Sequence, residues 1–187
     1  MRKLPNTNTK EFHPAPGDPR TQRKCGKCTA CCTVIGVSSL EKPTNRTCKH
    51  ECGKGCRIYT ERPEQCASYT CLWLEGWLES RHKPHRFGLI FDRMLKGEGG
   101  DVWDEIPFVV VRPVRPNAHK SREARVVLEG LSKRMIVMLL LPGTRKLSGP
   151  KDLLDQLMTR VGGGNELEPI PGEPNKFKIA APPESEA

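Results

Sequence analysis

The sequence predicts an α+β protein in two parts: a small metal-stapled cysteine-rich domain, followed by a small α/β domain of hairpin, crossover helix and buried strand. Three observations predict this. All nine cysteines lie between Cys25 and Cys71. From His82 onward the composition changes to apolar runs alternating with a helical pattern and turn residues. The hydrophobic fraction of 36% and aromatic fraction of 5% are low for a globular chain, so the smaller part needs a staple to stand on its own. The boundaries read as a flexible basic arm over 1–24, the cysteine-cluster domain over 25–80, the α/β domain over 81–161, and a Gly/Pro-rich acidic tail over 162–187 with an edge strand at 176–180.

The arm carries prolines 5, 14, 16 and 19 among Asn, Thr and Gly, a composition that buries no core. Residues 1–10 contain no apolar run of the kind a signal peptide needs, so the sequence predicts a chain that stays in the reducing cytoplasm. There a disulfide framework is disfavoured. Vicinal Cys31-Cys32 also suits a disulfide poorly, since adjacent Cα atoms sit about 3.8 Å apart and bridged ones roughly 4.4–6.8 Å. Metal ligation is the reading that remains for so many thiols, because burial alone calls for far fewer.

The run Cys25-Gly26-Lys27-Cys28-Thr29-Ala30-Cys31-Cys32 opens the cluster. A Cys-x2-Cys spacing lets two sulfurs reach one ion from a tight turn, and Arg20, Arg23 and Lys24 just before it favour thiolates over thiols. Cys25, Cys28 and Cys31 match the first three ligands of the bacterial ferredoxin run, but Ile35-Gly36 stand where that run has Cys-Pro. A fourth ligand must therefore come from far along the chain, with Cys66 or Cys71 expected beside Cys25 and Cys28. Cys32 is expected to point away from Cys31, toward a second metal or a bridging position. Val34–Val37 reads as a short strand or core strap, and Ser38–Thr47 as a surface loop. In Cys48–Cys56, Gly53 and Gly55 argue for a loop folded round the metal rather than a helix.

Thr60 is a candidate N-cap and Pro63 a first-turn residue for a helix running through Cys66 and Cys71 to about Glu79. Leu72, Trp73, Leu74, Trp77 and Leu78 cover too much of its circumference for it to be exposed. Beyond it, Phe87–Leu95 and Asp101–Val111 read as strands joined by a Gly-rich hairpin turn over Lys96–Gly100. Asn117 is a candidate cap for a helix from about Ala118 to Arg134, with Ala124, Val127, Leu128 and Leu131 on one face. Met135–Leu141 is a continuous apolar run, the mark of a buried strand. Strand, helix and strand in that order imply parallel pairing. Residues 150–161 read as a second helix.

The cysteine motif resembles the CxxCxxCC cysteine-cluster proteins (YkgJ-like), a family described as zinc- or iron-chelating. The residues that carry the likeness are Cys25-x2-Cys28-x2-Cys31-Cys32, then Cys48-Lys49-His50, then Gly55-Cys56-Arg57-Ile58-Tyr59-x3-Pro63-x2-Cys66-x4-Cys71. Arg62-Pro63 stands where that family has an Arg-Pro pair. The resemblance implies eight ligands, at Cys25, Cys28, Cys31, Cys32, Cys48, Cys56, Cys66 and Cys71, holding Zn2+ or Fe, the iron as an iron–sulfur cluster in one form. Cys52 is then the additional cysteine. His50 is a less favoured nitrogen donor, since the sulfurs already suffice.

The formal net charge is +9, but metal ligands are thiolates. Eight thiolates on two zinc ions lower the total to about +5. The basic residues are spread along the chain, apart from Arg112 and Arg115 and the helix-borne Lys120, Arg122 and Arg125. No base-reading module accompanies them, which leaves nucleic acid a lesser alternative behind an unidentified protein partner. No apolar stretch approaches the roughly 20 residues that span a bilayer. An enzyme has little to work with outside the cluster. His82, His85 and His119 lack an adjacent acidic orienter in sequence, and Thr144–Gly149 lacks phosphate-loop spacing. The expected function is a metal-binding interaction or cofactor-handling module, with an iron–sulfur redox protein as the alternative.

Overall fold

The computed structural model describes residues 23–93, 106, 108–161, 167–170, 172 and 176–180. The hairpin turn expected over Lys96–Gly100, most of the basic arm and the acidic end of the tail lie outside these residues. The fold is mixed α and β. Three short helices come first: α1 (Ala30–Val34), α2 (Glu64–Ser68) and α3 (Pro84–Phe87). Strands β1 (Leu89–Asp92) and β2 (Phe108–Pro113), helix α4 (Arg122–Ser132), strands β3 (Ile136–Leu141) and β4 (Thr144–Ser148), helix α5 (Lys151–Val161), and strands β5 (Leu167–Pro169) and β6 (Lys176–Ala180) follow. The six strands form one sheet in the order β1-β2-β3-β4-β6-β5. Among the described residues no helix is long and apolar enough to cross a membrane.

The β2–α4–β3 unit pairs in parallel, with Val109 opposite Val137 and Val111 opposite Leu139. All other neighbours in the sheet are antiparallel. Successive strand residues point to opposite faces, and both faces here are covered, which is why β2 and β3 read as continuous apolar runs. Phe108, Val110, Ile136 and Met138 pack on one side with Leu154 and Leu157 of α5. Val109, Val111, Val137 and Leu139 pack on the other with Ala124, Val127, Leu128 and Leu131 of α4. That same second core takes in Ala30, Val34, Cys71, Leu72, Trp73 and Leu78. The apolar packing therefore runs without a break across the boundary expected near residue 80.

Several expectations are corrected. The helix expected to reach Glu79 stops at Ser68, and Pro63, not Thr60, is its N-cap residue. Tyr69 turns extended (φ −66°, ψ 124°), and the Leu72 N–H donates to the Phe91 carbonyl at 2.8 Å. Residues 69–78 are thus drawn onto β1, and this long-range pairing outweighs helix propensity. Val34 ends α1 instead of starting a strand, and Val37 makes only an isolated bridge with Lys42. Helix α4 starts later than expected because Asn117 adopts φ 59°. Ser121 caps it, its Oγ accepting from the Ala124 N–H at 3.2 Å. Thr144–Ser148, within the stretch that lacks phosphate-loop spacing, is strand β4 in a hairpin with β3. Strand β6 is not an edge, since it pairs with both β4 and β5, and β5 takes the edge.

Gly88 links α3 to β1 at φ 84°. A Cβ there would lie 2.9 Å from the Ala118 Cβ and 2.8 Å from Arg115 Nη2. Gly88→Ala is expected to cost about 1–2 kcal/mol from the left-handed backbone alone, and more from the contact with Ala118. Urea denaturation of the two proteins measures the difference; a loss under about 0.5 kcal/mol, the size of an ordinary surface change, would refute it.

Candidate metal centre

All nine cysteines are free, and eight of them line one cavity: Cys25, Cys28, Cys31, Cys32, Cys48, Cys56, Cys66 and Cys71. His50 lines it as well. Cys52 does not: it is exposed and its Sγ donates to the Gly55 carbonyl at 3.3 Å. The cavity measures ≈ 90 Å³, on a scale where one water needs about 10–15 Å³. That volume has room for ions or several waters.

Local structure brings these thiols in from four directions. Gly26 at φ 54° and the Cys28 N–H to Cys25 carbonyl bond of 3.0 Å form the first turn. Helix α1 presents Cys31 and Cys32 on adjacent positions. The Cys48 N–H donates to the Cys32 carbonyl at 2.9 Å, which fixes the next segment against α1. Residues 48–56 form turns with a Glu51–Cys56 bridge and no helix. Gln65 ties α2 to the same region: its Oε1 accepts from the Ser38 N–H at 3.2 Å, and its Nε2 donates to the Gly36 carbonyl at 3.5 Å.

The charges that act on each thiol group them in part, with Cys32 acting on Cys25 as well as on Cys66. Cys71 is acted on by Cys25 and Cys28, and Cys31 by Cys32, Cys25 and Cys28. Cys66 is acted on by Cys32, Cys48 and Cys56. The last two cysteines of the motif therefore separate, Cys71 going with Cys25 and Cys28 and Cys66 with the middle cysteines. Cys31 and Cys32 meet where the sets touch and share a side-chain hydrogen bond, so Cys32 does not point away from Cys31. That bond holds the Cys31 proton on and pushes the Cys32 thiol down to about 7. Burial pushes Cys71 up to about 11, opposed by the Leu74 and Trp73 backbone N–H groups that point at its sulfur. Burial likewise raises Cys25 and Cys66.

The donor chemistry fits a thiophilic ion, because thiolates select zinc, copper(I) and iron–sulfur centres. The geometry is more open than ligation requires. Among the described residues no three His, Cys, Asp or Glu side chains are already grouped to hold an ion; of Cys66 and Cys71, Cys71 is the one on which Cys25 and Cys28 act.

Cations surround the cavity. Arg23 lies 5.1 Å from the Trp73 ring centroid and Lys83 4.9 Å. Arg23 Nη1 donates to the Trp73 and Leu78 carbonyls at 2.7 and 2.6 Å, and Lys83 Nζ to the Lys24 carbonyl at 3.1 Å. Together they clamp the entry to Cys25 onto the turn that follows Cys71. Arg62 lies over the Tyr59 ring at 4.2 Å and acts on both Cys25 and Cys66. Between Cys66 and Cys71, the Tyr69 hydroxyl donates to Asp92 Oδ2 at 3.0 Å, and Arg112 Nη1 donates to Asp92 Oδ1 at 2.7 Å. The sheet thereby holds the segment that carries both final cysteines.

His82, His85 and His119 do not line this cavity. His82 is buried beside Phe87 with its Nε2 3.3 Å from a Glu123 carboxylate oxygen, an acidic neighbour that sequence proximity did not reveal. Burial lowers His85 and His119. Sequence reading missed Lys42, Tyr69 and the Asp92–Arg112 pair, and no local signal marks them: Lys42 sits in a polar loop, and the Tyr69 partners are more than twenty residues away. Compared with family models, with curated proteins and with solved structures, the chain matches none.

Proposed function

We propose that this is a metal-binding protein whose eight cavity cysteines hold two ions in two four-thiolate sets, and that it acts as an interaction or cofactor-handling module in the cytoplasm. The first set is Cys25, Cys28, Cys31 and Cys71; the second is Cys32, Cys48, Cys56 and Cys66. The observation that carries the reading is the partition of the thiols: eight line one small cavity and the ninth, Cys52, stays outside. The resemblance of the motif to the CxxCxxCC cysteine-cluster family points the same way, toward zinc or iron. Closed tetrahedral thiolate sites of this kind are structural, and their role here is to hold residues 25–80 in shape for a protein partner.

Metal analysis of protein purified without oxygen is expected to find about two zinc ions per chain, as eight thiolates imply, in a colourless sample. A folded preparation with neither zinc nor iron would refute the reading. The Cys25-x2-Cys28-x2-Cys31 run favours one alternative, an iron–sulfur redox protein. A brown sample with a broad band near about 400 nm that bleaches on reduction, as sulfur-to-iron charge transfer in such clusters produces, would establish that alternative over zinc.

A further inference from the structure

Lys42 is 8% exposed, although the sequence around it is a polar loop. Its Nζ donates to the carbonyl of Ile35, the C-cap residue of α1, and to the Pro43 carbonyl at 3.3 Å. Two carbonyls supply hydrogen bonds but no opposite charge, and among the described residues Lys42 forms no salt bridge with a carboxylate. An ammonium buried in this way is retained only when a counter-charge accompanies it. The groups that act on it are Cys48, Cys32, Cys31 and Cys66, and Lys42 itself lines the cysteine cavity.

We propose that Lys42 is the built-in counter-ion of the second cysteine set, its ammonium offsetting the negative charge that four thiolates leave on a bound metal. This rests on the metal-binding reading above. Four thiolates on a divalent ion carry a net charge of about −2, and so dense a charge inside a cavity needs cations from the protein. Three elements supply them. Lys42 faces Cys48, Cys32 and Cys66 of the second set and Cys31 of the first, Arg62 faces Cys25 and Cys66, and Lys83 faces Cys25. Glu51, acting on Cys32, opposes Lys42 and makes its charge the more necessary. Lys42 is a positioning residue: its ammonium also holds the carbonyl that ends α1, so the charge sits at a fixed point beside Cys31 and Cys32. Replaced by a neutral side chain, it would leave the second set with Arg62 at Cys66 as its remaining cation, while the first set keeps both Arg62 and Lys83 at Cys25.

The alternative is that Lys42 only caps α1, and three substitutions separate the roles. Lys42→Arg keeps both charge and donor, Lys42→Gln keeps a donor without the charge, and Lys42→Met keeps neither. Zinc affinity of the full chain is measured by competition with a chromophoric chelator. The two neutral variants are expected to bind one of two zinc ions about 10–100-fold more weakly, the usual effect of losing a partner that supports metal ligands, and Lys42→Arg to recover most of the loss. Equal affinity of Lys42→Gln and wild type would overturn the counter-ion and, with wild type holding two zinc ions, leave the metal reading intact. Wild-type protein that takes neither zinc nor iron overturns both. Should Lys42→Gln fail to fold, the Lys42 Nζ signal in 15N NMR of zinc-loaded wild type decides: an ammonium is expected, and a free amine would overturn the proposal.

Discussion

Cys56→Ser is expected to lose one of two bound metal ions and to unravel the cysteine-rich segment, whereas Cys52→Ser leaves metal content and stability close to wild type. Only three residues separate the two positions, but Cys56 lines the cavity and Cys52 is exposed with its Sγ donating to the Gly55 carbonyl. A structural zinc contributes on the order of 10–16 kcal/mol of apparent binding free energy, which in small metal-stapled units is folding free energy. Removing one of four ligands forfeits a large part of that. The Cys52 substitution exchanges one exposed S–H donor for an O–H, an effect well under about 1 kcal/mol. Zinc per chain and the denaturation midpoint measure both effects. Equal losses from the two substitutions would show that Cys52 is a ligand and that the division into two sets of four is wrong.

The second large effect is expected at Asp92, which does not line the cysteine cavity. Its side chain is 8% exposed and accepts from Arg112, whose side chain is 25% exposed, and from the Tyr69 hydroxyl. Asp92→Ala strands the Arg112 guanidinium without its counter-charge and frees Tyr69. Breaking a buried pair from one side costs about 3–5 kcal/mol, and the partial exposure of Arg112 sets the value at the lower end, about 3 kcal/mol. Tyr69→Phe removes one hydrogen bond to a charged acceptor and is expected to cost about 1.5 kcal/mol. Urea denaturation of the zinc-loaded proteins gives both numbers, and an Asp92→Ala loss below about 1 kcal/mol would mean that water already compensates Arg112. Because Tyr69 lies between Cys66 and Cys71, Asp92→Ala is also expected to speed zinc transfer to a chelator. Unchanged transfer would separate the sheet network from the metal sets.

The β2–α4–β3 unit was legible from sequence because its signals are local. Two-sided burial makes Val109–Val111 and Ile136–Leu141 uniformly apolar, and the helical spacing of Ala124, Val127, Leu128 and Leu131 names the face that meets them. The eight cavity cysteines were legible from density, spacing and resemblance. Residues 69–78 were misread for a physical reason. An apolar stretch states that it must be buried and leaves its partner open, so Leu72, Trp73 and Leu78 served equally for a buried helix and for the irregular strap that lies on β1. The cap of α4 was misplaced because Asn117 and Ser121 are both good N-cap residues, and the left-handed backbone at Asn117 decided between them.

The sequence by itself determined the density and spacing of nine thiols, from which sulfur ligation is the expectation, and it determined the parallel strand–helix–strand unit. Only the tertiary structure decided which thiols neighbour one another, parting Cys66 from Cys71 and leaving Cys52 outside. It also decided that Lys42, a charged residue in a polar loop, is buried among four thiols, and that Asp92 and Arg112 reach across from the sheet to hold Tyr69. These are contacts between residues distant in sequence, and local patterning encodes how much each segment must bury but not which charge or sulfur will stand beside it.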